Sequence, residues 1–153
     1  MNWFENAVFY HIYPIGYFGC PRQNDFTSEP THKILRVIDD IPHIKELGCN
    51  AVYFGPVFES SAHGYDTADY TKIDRRLGTN EDFKKVCDAL HENGIRVVLD
   101  GVFNHVGRDF WAFRDVRENK LCSSKRTGSM CAKATTATTT ASGTKAGRVI
   151  TSW

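Results

Sequence analysis

Gly94-Ile95-Arg96-Val97-Val98-Leu99-Asp100-Gly101-Val102-Phe103-Asn104-His105 is the stretch that decides how this chain folds. Ile95 to Leu99 is apolar and β-branched apart from Arg96, which predicts a short strand of the kind covered on both faces in a parallel sheet. Upstream, Gly94 closes a helix whose apolar face is Phe83, Val86, Cys87 and Leu90. Thr79-Asn80-Glu81-Asp82 starts it as a capping box, with Asp in place of the usual Glu.

The same grammar stands one unit earlier. Ala51-Val52-Tyr53-Phe54 reads as a second strand, preceded by a Gly48 stop and by Ile34, Ile38, Ile41, Ile44 and Leu47 at helical spacing. Pro42 fits the first turn of a helix capped by Asp39 or Asp40, so that face is expected to span two consecutive helical pieces. Val8 to Tyr13 is a further strand, stopped by Pro14, and the stretch with Gly16, Gly19, Pro21 and Pro30 reads as loop. Helix, glycine, strand and polar loop in repetition is β/α architecture on a parallel sheet. Periodicity leaves a barrel and a doubly wound sheet both open, and three strands close neither.

The 153 residues hold 19 basic and 18 acidic side chains, unevenly placed. Residues 1–120 carry all 18 acids and 14 bases, whereas 121–153 carry five bases and no acid. The aromatics follow suit, 18 of 19 lying before position 121. The first part can bury a core; the second, with eight Thr and five Ala, has too little apolar surface to offset its chain entropy. A slightly acidic folded part offers no footprint for nucleic acid, and no apolar run approaches the roughly 20 residues of a membrane span. The N-terminus lacks the basic-then-apolar order of a signal peptide. Five cysteines without a Cys-x-x-Cys suggest neither a disulfide framework nor zinc, so the expected compartment is the cytoplasm.

In either β/α architecture, ligands bind at the carboxyl ends of the strands. His63-Gly64-Tyr65-Asp66-Thr67-Ala68-Asp69-Tyr70 follows the second strand, and Asp100 to His105 follows the third. Each residue also has an ordinary structural role open to it: Asp66 or Asp69 capping a turn, Tyr65 or Tyr70 packing, Asn104-His105 holding a loop. No Gly-x-Gly-x-x-Gly follows a strand and no Gly-x-Ser-x-Gly elbow is present, which weakens dinucleotide and esterase readings.

These residues resemble the α-amylase family, glycoside hydrolase family 13. Asp100-Gly101-Val102-Phe103-Asn104-His105 is similar to its Asp-x-x-x-Asn-His segment after the third barrel strand. His63-Gly64-Tyr65, Asp69-Tyr70 and Leu77-Gly78-Thr79 resemble its loop after strand two, and Val8 to Pro14 its first strand. The resemblance covers most of residues 3–118. It implies the N-terminal portion of a (β/α)8 barrel, about three β/α units, and an α-glucan oligosaccharide substrate. By position it implies Tyr65 stacking on a sugar ring, His63 and His105 bonding its hydroxyls, and Asp100 holding the base of the site. Asn104 matches a position that supplies a calcium ligand in many members; no cofactor is expected for this stretch alone.

Retaining glycoside hydrolysis needs two carboxyl groups about 5–5.5 Å apart across the scissile bond. In this family the nucleophile, the acid and a supporting Asp follow the fourth, fifth and seventh strands, and no acid here matches them. The expectation is a fragment of a glycoside hydrolase acting on α-glucosidic bonds of starch-like glucans, inactive alone and marginally folded. The alternative is a non-catalytic carbohydrate-binding or scaffold module. For the basic tail, codons can be chosen for 135–153 whose shifted frame is similar to how family members continue. Residues 1–120 therefore read as the partial barrel, and 121–153 as an out-of-frame, disordered Thr/Ala-rich tail.

Overall fold

The computed structural model describes residues 2–119. The readings made for 121–153, including Cys122 and Cys131, lie outside them. The order is β1 (Phe9–Ile12), α1 (Pro14–Tyr17), α2 (Val37–Glu46), β2 (Ala51–Phe54), β3 (Phe58–Ser60), β4 (Thr67–Ile73), α3 (Asn80–Glu92), β5 (Arg96–Leu99) and α4 (Trp111–Asn119). β1, β2 and β5 pair in parallel in that spatial order, as the repeated grammar predicts.

Register sorts the sheet into two faces. Tyr10, Val52 and Val97 align across the strands, as do Ile12, Phe54 and Leu99. Ile12, Val52 and Phe54 join Ile34, Ile41, Ile44, Val86 and Leu90 in the core under the helices. The opposite face carries Phe9, His11, Tyr53 and Val98, with the His11 and Tyr53 rings 5.0 Å apart. The expected double coverage of the third strand does not hold: Arg96 is exposed and Leu99 is 38% exposed. Among the described residues β5 pairs only with β2, so its outer side has no partner.

Four local readings are corrected. Pro14 does not open a plain loop; it sits at the first position of the short α1, where its missing N–H costs nothing. The second helix is not capped by Asp39 or Asp40. A 3-10 turn over Lys33–Arg36 runs into α2, Arg36 holds the N-cap position, and Pro42 lies inside the helix. The 3-10 turn advances its face by three residues and the α-helix by three or four. The buried stripe is therefore Ile34, Val37, Ile41 and Ile44, while Ile38 and Leu47 face outward. The polar stretch after β2 holds an antiparallel β3–β4 hairpin, and α4 follows the third-strand loop. Cys20, Cys49 and Cys87 are free thiols.

The capping box forms as read. Thr79 Oγ1 accepts the Asp82 N–H and Asp82 Oδ2 accepts the Thr79 N–H, each at 3.1 Å. His32 Nδ1 adds a 2.6 Å contact to the same carboxylate oxygen, fastening the segment before α2 to the start of α3. Gly78 is tight against this junction; a Cβ there would lie 2.9 Å from Ile34 Cγ2.

A buried ion pair anchors the excursion between β2 and α3. Asp74 is fully buried and Arg76 is 5% exposed. The guanidinium grips the carboxylate with two bonds, Nε to Oδ1 at 2.8 Å and Nη2 to Oδ2 at 2.7 Å. Nη1 also donates to the Pro21 and Ala62 carbonyls at 2.9 and 2.8 Å, and Nη2 to Ser60 Oγ at 2.9 Å. Asp74 Oδ2 in turn accepts the Ser60 N–H at 3.1 Å.

Removing one partner of such a pair strands a buried charge, so Arg76→Met is expected to lower unfolding free energy by about 3–5 kcal/mol in urea titration. Asp74→Asn with Arg76→Met should recover part of that loss. Thr79→Ala is expected to cost about 1 kcal/mol. Burial pushes the Asp82 carboxyl up, but bonds from His32 and the Thr79 N–H outweigh it and hold the group below its ordinary 3.8. A depressed folded pKa gives stability that is complete above the ordinary value and drains away as pH falls through the folded one. Wild-type protein should thus lose more stability than Asp82→Asn on going below about pH 4. Equal acid slopes for the two proteins would refute this assignment.

A candidate glucan-binding rim

The carboxyl ends of β1, β2 and β5 form one rim because the ladder runs on past each strand. Gly55 N–H donates to Ile12 O at 2.8 Å and Asp100 N–H to Phe54 O at 2.9 Å. Asp100 is thereby set on the rim, half-buried, directly after β5. Two tyrosine hydroxyls approach its carboxylate. Tyr53 is held above its usual pKa first by its hydrogen bond to Asp100 and then by burial. Tyr65 is raised first by burial, then by the Asp100 charge and a hydrogen bond to it. Tyr65 leaves 40% of its surface exposed.

The loop carrying Tyr65 is folded around Asp66. Its Oδ1 accepts the His63 N–H at 3.1 Å, while Tyr13 donates its hydroxyl to the His63 carbonyl at 2.8 Å. His63 Nδ1 accepts the Tyr65 N–H at 3.2 Å, which places the proton of the neutral ring on Nε2. Gly64 makes this turn at a φ of 94°, a region that favours glycine. Arg76, through Ala62, holds the entry to the loop.

His105, expected to bond sugar hydroxyls, ties two loops together. Its Nε2 lies 2.8 Å from the Tyr65 carbonyl and its Nδ1 2.9 Å from Asn104 Oδ1. A backbone carbonyl only accepts, so Nε2 carries a proton and donates it to Tyr65. With the proton on Nε2, Nδ1 is left as an acceptor, so the Asn104 contact is made with the amide turned to present its NH2 group, and a sugar hydroxyl would have to displace one of these partners. His105 is thereby a strut between the loop after β5 and the loop after β2. Asn104 is exposed and turned to His105. It offers one side-chain oxygen, and among the described residues no group of three or more His, Cys, Asp or Glu is arranged to hold a metal ion.

Two other rim candidates have structural roles. Tyr70 donates its hydroxyl to the Val102 carbonyl and, at 3.1 Å, to the His105 carbonyl. Asp69 turns to Thr71, accepting its N–H at 2.8 Å and its hydroxyl at 2.6 Å, and those bonds hold its carboxyl below the usual range against the upward push of burial. The sequence reading missed Tyr13, Tyr53 and Gly107. Strand alternation was the available signal for Tyr53, since Val52 and Phe54 flank it on the core face. Gly107 brings the third loop onto β4, its N–H donating to Thr67 O at 2.8 Å. A Cβ there would lie 2.3 Å from the Asp66 carbonyl oxygen, so only glycine permits the approach.

Comparison with known proteins gives this geometry a lineage. The catalytic-domain model of the α-amylase family matches residues 31–134. A cyclomaltodextrinase of a Bacillus species is 41% identical over 131 residues, covering 76% of this chain and 24% of that enzyme. Neopullulanase 2 of Thermoactinomyces vulgaris is 40% identical, covering 75% of this chain and 22% of that protein. The chain thus spans about a quarter of the length of the curated relatives it matches. Among solved structures, the cyclic α-maltosyl-(1→6)-maltose hydrolase of Arthrobacter globiformis superposes with a TM-score of 0.69 at 39% identity, over 82% of this chain and 31% of that one. The trehalose-6-phosphate hydrolase of Bacillus licheniformis gives 0.67 at 30% identity, over 82% and 22%. With its fold and its sequence both matched to these enzymes, the chain belongs to the α-amylase family of glycoside hydrolases and folds as the N-terminal part of their (β/α)8 barrel.

Proposed function

We propose that the rim binds α-glucan oligosaccharides and forms one wall of a glycoside hydrolase site, and that the 153-residue chain by itself binds without hydrolysing. The observation that carries this is the rim itself, where Asp100 follows β5 and the loop carrying His63 and the exposed Tyr65 ring is tied to the same edge by His105. A pyranose offers an apolar face and a ring of hydroxyls. The Tyr65 ring suits the first, and the Asp100 carboxylate and the His63 imidazole suit the second.

The rim's two carboxylates are committed to holding the site. Asp66 accepts the His63 N–H, and Asp100 is flanked by two phenols. Retaining chemistry demands a nucleophile and an acid about 5 Å apart across the scissile bond, and no acid here matches the family's positions for them. Cleavage of α-glucosidic bonds, by hydrolysis or transfer, accordingly belongs to a longer protein that adds those carboxyl groups from later strands. Calcium, if that protein uses it, would take Asn104 as one oxygen ligand, and no step of binding here depends on it. For 121–153 we keep the out-of-frame reading, which the coding DNA tests: the shifted frame should stay open well past codon 153 and supply Asp and Glu at later strand ends.

Calorimetric titration of the purified chain with maltoheptaose is expected to give saturable binding. Tyr65→Ala should weaken it about tenfold, the equivalent of about 1.4 kcal/mol. Release of reducing sugar should stay at the buffer level. Turnover by the purified chain would overturn the inactive reading, and unaltered affinity in Tyr65→Ala would overturn the placement of the sugar.

A further inference from the structure

The described residues hold a second cleft, of 490 Å3, on the far side of the β3–β4 hairpin, where α4 passes β4. Its volume falls in the range of about 300–1,000 Å3 common for small-molecule sites. Trp111 and Phe26 supply aromatic surface to it, and Trp111 is 57% exposed. Phe26 is the sole non-glycine among the described residues with a positive φ, 56°, pinned there by its N–H donating to Asn24 Oδ1 at 2.9 Å. A bulky side chain held in that conformation carries a conformational cost that the surrounding structure must offset.

Between the rings the lining mixes signs. Five carboxylates, Asp69 and Asp109 among them, stand with three cations, Lys72, Arg75 and Arg114, and the Lys72 Nζ to Asp69 Oδ2 distance is 3.7 Å. A lining of one sign would select an ion. Carboxylates beside cations suit instead a neutral polyol, whose hydroxyls donate to the former and accept from the latter. The aromatic faces add a platform for the apolar side of a sugar ring. Asp109 also lines the neighbouring cleft that holds Tyr13, His63 and Asp66, and its Oδ2 accepts the Ser61 hydroxyl at 2.7 Å. The two clefts therefore meet at one fixed carboxylate.

We infer that the cleft between β4 and α4 is a second glucan-binding site, which takes a neutral α-glucan segment against Trp111 and Phe26 and lies next to the rim across Asp109. The choice of an α-glucan rests on the proposed reading of the rim. The test uses the full chain labelled with 15N-tryptophan, titrated with maltoheptaose. The Trp111 indole signal, assigned with Trp111→Phe, is expected to shift saturably and to do so again in Tyr65→Ala. Arg114→Ala should weaken that response several-fold. The His63 and His105 imidazole signals report the rim separately. A Trp111 signal that stays still while the imidazoles respond overturns the second site and leaves the rim reading standing. A Trp111 shift with silent imidazoles supports the cleft and overturns the rim. Loss of the Trp111 response in a folded Tyr65→Ala variant, or equal shifts from glycerol, also overturns the proposal.

Discussion

The Asp74–Arg76 pair is the constraint on which the rest of the molecule hangs. Two charges removed from water are tolerable only when every lone pair and proton finds a partner, and here they do. The guanidinium reaches two separate stretches of chain, at Pro21 and at Ser60 to Ala62, while the Arg76 carbonyl ties in a third by accepting the Thr31 hydroxyl at 2.7 Å. The first loop, the hairpin and the entry to α2 are thus tied to one point below the rim. A hydrophobic replacement could fill the same volume. It would not specify which carbonyls meet there, and that specification sets the position of the His63–Tyr65 loop.

From this anchor the rim is assembled by contact between loops. The loop after β5 leans on β4 through Gly107 and on the second loop through His105, while Tyr70 supports it from beneath. The outcome is one edge on which Asp100 and the loop carrying His63 and Tyr65 are held together.

Much of the fold was legible because the deciding interactions are local. The Thr79–Asp82 capping box involves residues three apart, and the strands announce themselves by β-branched runs. The register of α2 was not legible, because it depends on a 3-10 turn that shifts the stripe from Ile38 to Val37. Nor was the β3–β4 hairpin. Thr67 to Ile73 lacks a clean alternation, and its pairing is irregular, with register shifts on either side of Glu59. Glu59 is buried against Arg75, with Nε to Oε1 at 2.6 Å, an interaction sixteen residues apart that no local pattern reveals.

By itself the sequence determined the three parallel strands, the two helical segments between them, their order, and the two stretches, 63–70 and 100–105, that carry the family's motif. Those follow from steric preference, hydrophobic period and short-range capping, all of which act within a few residues. Only the tertiary structure decided which members of those stretches brace the loops and which stand on the rim. It turned Asp69 and Tyr70 to the support of loops, occupied both nitrogens of His105, and brought Tyr13 and Tyr53 to the rim. The reason is geometric: a side chain's partners in a β/α fold come from neighbouring strands and loops 30 to 50 residues away, and their approach is set by sheet register and by the room a glycine such as Gly107 leaves.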